Sequence, residues 1–325
     1  MSASLSEISA ALYDCTLDDV PDDPARSVEQ LVDLAAAANR YTDESQYSAA
    51  VAGLGRVITE LHVHAGREPN RQQPLGALVE ACLAASGVAR QMGRPELAVQ
   101  AAQRAADAAK LLESEPLMAL VAMQYSGALM RLGARRAAGS ALGHGFAIVE
   151  PVADPTADDT SAAEGLGMLH LASAQLAARE GRGTDADTHL DQARELAGRT
   201  GERNAYRYHF GPANVTAWSL AIAVELDRGP SVAAMVDTSP AMFAALNSAN
   251  RRAGYHLELA RAWTQSGGDR DMVALRHLDA ADVIAPQQIR NDPIALELLA
   301  ELDQRAPRKH WLLESLKSRF GLVRG

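Results

Sequence analysis

Residues 92–112 read MGRPELAVQAAQRAADAAKLL. After a Gly-Arg-Pro break, small residues stand at 98, 102 and 105, the i, i+4, i+7 spacing that places Ala98, Ala102 and Ala105 on one face of a helix. Alanine on that face lets a second helix approach closely. Gly93 lies five residues before Ala98, where a left-handed residue ends the preceding helix without steric penalty. The stretch therefore reads as the turn and second helix of a helical hairpin.

The same spacing recurs along the chain. Ala50-Leu54-Val57, Ala138-Leu142-Gly145, Ala186-Leu190-Ala193 and Ala274-Leu278-Ala281 share it, and Gly133 and Gly181 repeat the place of Gly93. Pro286 follows Ala281 by five residues, where a second helix of this kind ends. No segment alternates β-branched residues with period two, so an all-α chain is expected. Small residues at these offsets are the tetratricopeptide (TPR) signature, which implies a right-handed superhelix of about six TPR-like helical hairpins. The alternative is a plain alanine-rich bundle. Successive units begin at 50, 98, 138 and 186, wider than the usual ~34-residue period, so helices or loops are longer than minimal. DPTADDTS at 154–161 reads as one such loop. A degenerate sixth unit is expected at about 212–237, with SVAAMV as its second helix.

The ends read differently. Residues 1–25 form an N-terminal helix (4–14) and the acidic, proline-containing linker DDVPDDP, residues 26–305 the repeat array, and residues 306–325 a capping helix. In that last helix Trp311, Leu312, Leu316 and Phe320 form an apolar stripe. All three parts belong to one continuous structural domain.

Composition narrows the function classes. A net charge of −10 opposes phosphate backbones, so neither direct nucleic-acid binding nor membrane association is expected of this segment. The basic clusters Arg135-Arg136 and Arg308-Lys309 are too short to change that. Cys15 and Cys82 make neither a disulfide framework nor a zinc site. MSASLSEISA has no signal-peptide character, and the longest apolar run, LMALVAM at 117–123, is too short to span a bilayer. A cytoplasmic protein is expected.

Catalytic motifs are missing from the sequence. There is no G-x-S-x-G, Walker or H-E-x-x-H pattern. His62 and His64 sit two apart on a helix and point in opposed directions, which rules out a shared metal. His144 lies between glycines that close helix packing explains. Asp22-Asp23 and Asp158-Asp159 read as solvated loop charge. The chain is not expected to be an enzyme, and no cofactor is implied.

One segment stands apart. The chain holds only three tryptophans, seven tyrosines and four phenylalanines. Yet YRYHFGPANV, residues 206–215, gathers Tyr206, Tyr208 and Phe210 around Gly211-Pro212, with Trp218 beyond. Pro212 suits the first position of a helix, which places Asn214 and Trp218 on one face. If first helices line a concave groove, the ligand-binding candidates are Gln124, Tyr125, His170, Arg207, His209, Asn214, Trp218, Asn247, Arg251 and Tyr255. Asn and Arg supply the donors and acceptors that peptide amides and carboxylates require. Asn247, Arg251 and Tyr255 are read as one stripe. Larger core fillers are the alternative reading of the rings.

HFGPANV (209–215), LELARAWTQSGGDRDMVALRHLDAADVIAPQQIRNDP (257–293) and SEISAALYD (6–14) carry a resemblance. Together they resemble the C-terminal TPR sensory region of actinobacterial XRE-type helix-turn-helix transcription regulators. The basic DNA-reading part of those proteins has no counterpart here. The resemblance implies a cytosolic sensor that binds a peptide or small-molecule effector and forms a homodimer. Asn214, within Phe210–Val215, is the one position it transfers. A stand-alone protein–protein interaction adaptor is the competing expectation.

Overall fold

The computed structural model describes residues 2–21, 26–67, 70–306 and 310–322. It is 79% helix, with no strand among the described residues. The helices in chain order are α1 (Ser2–Asp14), α2 (Val28–Asp43), α3 (Tyr47–Ala50), α4 (Leu54–Arg67), α5 (Gln72–Gln91) and α6 (Pro95–Leu112). There follow α7 (Glu115–Leu132), α8 (Arg135–Val149), α9 (Ser161–Arg179), α10 (Gly183–Thr200), α11 (Pro212–Glu225) and the short α12 (Gly229–Ala233). The last third holds α13 (Pro240–Ala245), α14 (Ala249–Ser266), α15 (Asp271–Ile284), α16 (Pro286–Ile289), α17 (Pro293–Arg305) and α18 (Trp311–Arg319).

The glycine-marked turns share one local device. Gly93, Gly133 and Gly181 have φ of +69°, +85° and +72°. The next residue donates its N–H back to the helix: Arg94 to Ala89 O, Ala134 to Leu129 O and Arg182 to Ala177 O, each at 2.9 Å. This is the Schellman cap, which satisfies carbonyls that the helix end leaves open. A further copy lies where no glycine marks it. Asp227 takes the left-handed position (φ +56°), and Arg228 N–H reaches Ala223 O at 2.8 Å between α11 and α12. The degenerate unit is thus a hairpin whose second helix is only Gly229–Ala233.

The small residues do what their spacing requires. All three positions of each repeat are buried, with Ala98, Ala102, Ala105, Ala138, Ala186, Ala193, Ala274, Leu278 and Ala281 at 0% exposure. The first unit differs from expectation. Ala50 ends α3, whereas Leu54 and Val57 lie on α4, so its three positions are buried across a break. Elsewhere α5 packs on α6, α7 on α8, α9 on α10 and α14 on α15. The loop expected near 154–161 is observed immediately before α9. The core is spread between successive helix pairs rather than gathered at one centre.

The first helices also touch one another in sequence: α2 meets α5, α5 meets α7, α7 meets α9, α9 meets α11 and α11 meets α14. Then α14 returns to α2. Polar contacts hold this seam. Asn250 Nδ2 donates to Tyr47 Oη at 3.1 Å, Ser45 Oγ to Gln288 Oε1 at 2.9 Å, and Ser48 N–H to Gln287 Oε1 at 3.0 Å. Six helices therefore form a closed ring.

The terminal helices are docked on the array. Helix α1 packs on α4 and α6, and Arg104 donates to Leu12 O, so the N-terminal helix is integral to the core. Leu312, Leu313 and Leu316 bury α18, while Trp311, expected on that stripe, is 74% exposed. Trp311 opens the helix and points away from the buried face. Asp282, fully buried, ties this end together: Arg290 grips it at 2.6 and 3.0 Å and Arg319 Nη1 at 2.5 Å. The expected linker falls partly on 22–25, and Arg308-Lys309 falls on 307–309; both lie outside the described residues. Cys15 and Cys82 are buried free thiols. Among the described residues no helix is long and apolar enough to cross a membrane, and no group of three or more metal-ligating side chains occurs.

Two hairpins carry matching histidine pairs. His170 of α9 and His189 of α10 meet Nδ1 to Nδ1 at 2.9 Å, with the Phe146 ring edge-on at 4.9 Å. His256 of α14 and His277 of α15 meet at 3.0 Å, with Phe243 stacked at 4.3 Å. Burial, reinforced by the partner imidazole, lowers His170 and His256 from 6.5 to about 4, and burial lowers both partners too. Unfolded histidines bind protons that the folded ones refuse. This contribution is complete above pH 6.5 and is lost as pH falls toward 4. The melting temperature should therefore drop between pH 7 and pH 5, and the drop should shrink in a His170→Phe/His256→Phe variant. Asp282→Ala leaves Arg290 without its partner and Arg319 with Asp279 alone. Because both guanidinium groups are partly exposed, the loss should be about 1.5–3 kcal/mol in urea unfolding.

Candidate functional site

The ring encloses a cavity of about 460 Å³. Its wall takes residues from each of the six ring helices. Asn39, Thr42 and Asp43 come from α2, Val79, Glu80 and Arg90 from α5, and Met123, Gln124 and Arg131 from α7. Met168, Gln175 and Arg179 come from α9, Ala217 and Trp218 from α11, and Arg251, Tyr255 and Glu258 from α14. Helical periodicity selects them: Met168, Ala172, Gln175 and Arg179 follow i, i+4, i+7, i+11 along one face of α9.

Six of the ten sequence-derived candidates, Gln124, Arg207, Asn214, Trp218, Arg251 and Tyr255, line this cavity. The other four do not. Tyr125 is rotated 100° from Gln124 and packs into the α7–α8–α9 core. His170 lies on the opposite face of α9 from Met168 and belongs to the histidine pair already described. Asn247 does not continue the Arg251–Tyr255 stripe, because it precedes the Ser248 N-cap with φ +48°. His209 is turned behind the wall, its side chain 8% exposed and its Nε2 3.5 Å from Asp43.

The aromatic-rich segment divides by role. Tyr208 and Phe210 are buried at 1% and 0% exposure and are core, not wall. They fit because α9 is notched: a Cβ at Gly165 would stand 2.8 Å from Tyr208 Oη, and one at Gly167 would overlap the Phe210 ring. Tyr206 and Arg207 are left at the cavity rim. This turn holds Tyr206, Arg207 and His209 at φ of +45°, +62° and +48°, a rare conformation for non-glycine residues. Several contacts hold it there. Glu164 accepts from Ala205 N–H at 2.8 Å and Thr160 Oγ1 at 2.9 Å, Asn204 Oδ1 accepts from His209 N–H at 3.0 Å, Tyr208 Oη donates to Pro116 O, and Arg207 pairs with Asp43. Pro212 begins α11 as expected. Gly211 admits Glu202, whose Cα would be 2.8 Å from a Cβ there and whose carboxylate caps the Ala213 N–H at 2.8 Å.

Some wall groups are already committed to the protein. Asn214, expected as a free amide, is buried; its Oδ1 accepts from Arg251 Nη1 at 2.8 Å, and its Nδ2 lies 3.5 Å from Met168 Sδ. Arg251 also donates to Tyr208 O at 3.0 Å, and burial lowers its pKa to about 10. It remains charged at neutral pH, positioned by Asn214. Tyr255 Oη donates to Asp237 O at 2.8 Å, and burial raises its pKa to about 12. Burial also raises the carboxyl groups of Glu80 and Glu258. Gln124 and Gln175 make no side-chain hydrogen bond to the described residues, so their amides face the cavity available.

Arg90, Arg131 and Arg179 also line the cavity and are not among the sequence-derived candidates. Each stands in the last turn of a first helix, where a cation favourably meets the helix dipole and reads as an ordinary exposed end. Their one distinguishing signal is position: all three lie within three residues of a hairpin glycine.

No family model, curated protein or solved structure matches this chain. Gly167→Ala tests the notch. Better helix propensity favours alanine by ~1 kcal/mol, whereas forcing aside the enclosed Phe210 ring costs ~1–3 kcal/mol or more. A net loss of about 2 kcal/mol is expected in denaturant unfolding, with lowered protection of residues 204–210 in hydrogen exchange.

Proposed function

We propose that this chain is the effector-binding part of a transcription regulator, and that a small molecule or short peptide occupies the central cavity. One observation carries the reading: each of the six ring helices contributes residues, polar groups and the Trp218 and Tyr255 rings among them, to a single central space. A volume of about 460 Å³ lies within the ~300–1,000 Å³ common for small-ligand sites. Trp218 and the methionines Met123, Met130 and Met168 offer apolar, adaptable contact, while Gln124 and Gln175 offer donors and acceptors.

On this reading the hairpins are TPR-like units wound through about one right-handed turn, and the regulator resemblance supplies the biological context. The ligand is coupled to the array because it touches six helices at once. It stabilises whichever ring geometry it fits best, and only that differential affinity can transmit a signal. The adaptor alternative is weaker for this surface, since a folded partner cannot enter a ring already closed by α2 and α14. A homodimer belongs to the same proposal, and light scattering should then give twice the chain mass.

Trp218 makes the reading measurable. In a Trp263→Phe/Trp311→Phe background its emission reports the cavity alone. Screening metabolites and short peptides should yield ligands that shift this emission and raise the melting temperature. Gln124→Ala should weaken them about tenfold, near 1.4 kcal/mol. Ligands that leave Trp218 silent and ignore Gln124→Ala would overturn the assignment.

A further inference from the structure

The cavity wall is charged against the sign of the chain. The protein carries −10 overall, yet five arginines, Arg90, Arg131, Arg179, Arg207 and Arg251, face three carboxylates, Asp43, Glu80 and Glu258. Arg207 is neutralised by Asp43, and Glu258 pairs with Arg261 outside the wall at 2.7 Å. Arg131 and Arg179 stand 3.7 and 3.8 Å from Asp292 and Glu225, too far for good hydrogen bonds. Arg90 has no ion pair and no hydrogen bond to any described residue.

The setting of Arg90 is built rather than incidental. Its Nη1 crosses α7 at Gly127, where a Cβ would stand only 2.7 Å away. A glycine inside a helix is destabilising by roughly 0.5–1 kcal/mol relative to alanine, and here it opens the passage for one guanidinium. Arg131 lies one turn beyond Gly127 on the same face, and Arg179 stands near enough that both cations depress the Arg90 pKa. Burial is the larger cause, and together they bring it to about 10. Arg90 therefore keeps its charge at neutral pH among like charges. Gln175, one turn before Arg179, and Gln124, two turns before Arg131, extend the same wall.

A partly buried cation that lacks a counter-charge and stands beside two further cations is unfavourable, and an arriving anion relieves it. A free guanidinium also matches a carboxylate or phosphate through two parallel hydrogen bonds. We propose that the cavity seats an organic anion, through a carboxylate or phosphate group, on Arg90 between Arg131 and Arg179. This rests on the reading of the cavity as the effector site and narrows the effector to anionic compounds.

The test uses the full chain, with inorganic phosphate and citrate as probes at ionic strength held constant with sodium chloride. At millimolar concentration at least one probe should raise the melting temperature, and whichever acts distinguishes a phosphate from a carboxylate seat. Arg90→Gln should weaken binding of that probe at least tenfold, with Arg131→Gln weakening it less. Free of ligand, Arg90→Gln should melt no lower than wild type, because it removes an unpaired charge. Arg135→Gln, on the outer surface of α8, should keep the full response. Equal probe binding by wild type and Arg90→Gln, or no stabilisation by either probe, overturns the anion seat. A neutral ligand that moves Trp218 emission equally in wild type and Arg90→Gln also overturns it but leaves the cavity reading standing. If no compound moves that emission, the cavity reading falls as well.

Discussion

Two helices can cross closely only where the crossing holds side chains no larger than a methyl group. Ala98, Ala138, Ala186 and Ala274 occupy such crossings at 0% exposure. Gly145 marks one close approach, since a Cβ there would come within 2.9 Å of Ala122 and 3.0 Å of Leu169. Packing of this kind depends on many small contacts, because each pair of atoms adds little alone. It also fixes the relative position of successive helices, so the array's curvature follows from the volume of a few residues per hairpin.

Curvature carried far enough brings the last first helix back to the first. The seam of Tyr47–Asn250, Ser45–Gln288 and Ser48–Gln287 is polar and modest, and each bond is worth about 0.5–1.5 kcal/mol net. Its consequence exceeds its strength. An open array would present its inner faces to bulk solvent as a groove; closure turns them toward each other and lowers the local dielectric. Burial brings Arg251 to about 10, and burial together with Arg131 and Arg179 brings Arg90 to about 10. Asn214 and Tyr208 O compensate Arg251, whereas Arg90 is left among other cations. That difference separates a structural arginine from one suited to an exogenous partner.

The rings of YRYHFGPANV show how one motif can serve two ends. Tyr208 and Phe210 anchor the loop in the Gly165/Gly167 notch, and this anchoring holds Tyr206, Arg207 and His209 at positive φ. Arg207 then reaches Asp43 on α2, across the cavity rim. The buried half of the motif thus positions its exposed half.

Much of the architecture was legible because helices and hairpins are local. Alanine periodicity, the turn glycines and Pro212 act within a few residues of themselves, so the all-helical chain and most of its helix pairs followed from the sequence. Asp227 escaped notice because a non-glycine residue in the left-handed position has no distinctive signature. Six wall residues could be anticipated because a face of a helix is a matter of phase, and Tyr125 and His170 failed on that same phase, 100° and 200° out of step. By itself the sequence determined the helical class, the glycine-marked hairpins and the small-residue faces they bury, all of which depend on neighbours in the chain. Only the tertiary structure decided that α14 meets α2, that Asn214 serves Arg251, and that Arg90 has no counter-charge. Those facts depend on groups tens to hundreds of residues apart, whose meeting is set by curvature summed over every hairpin.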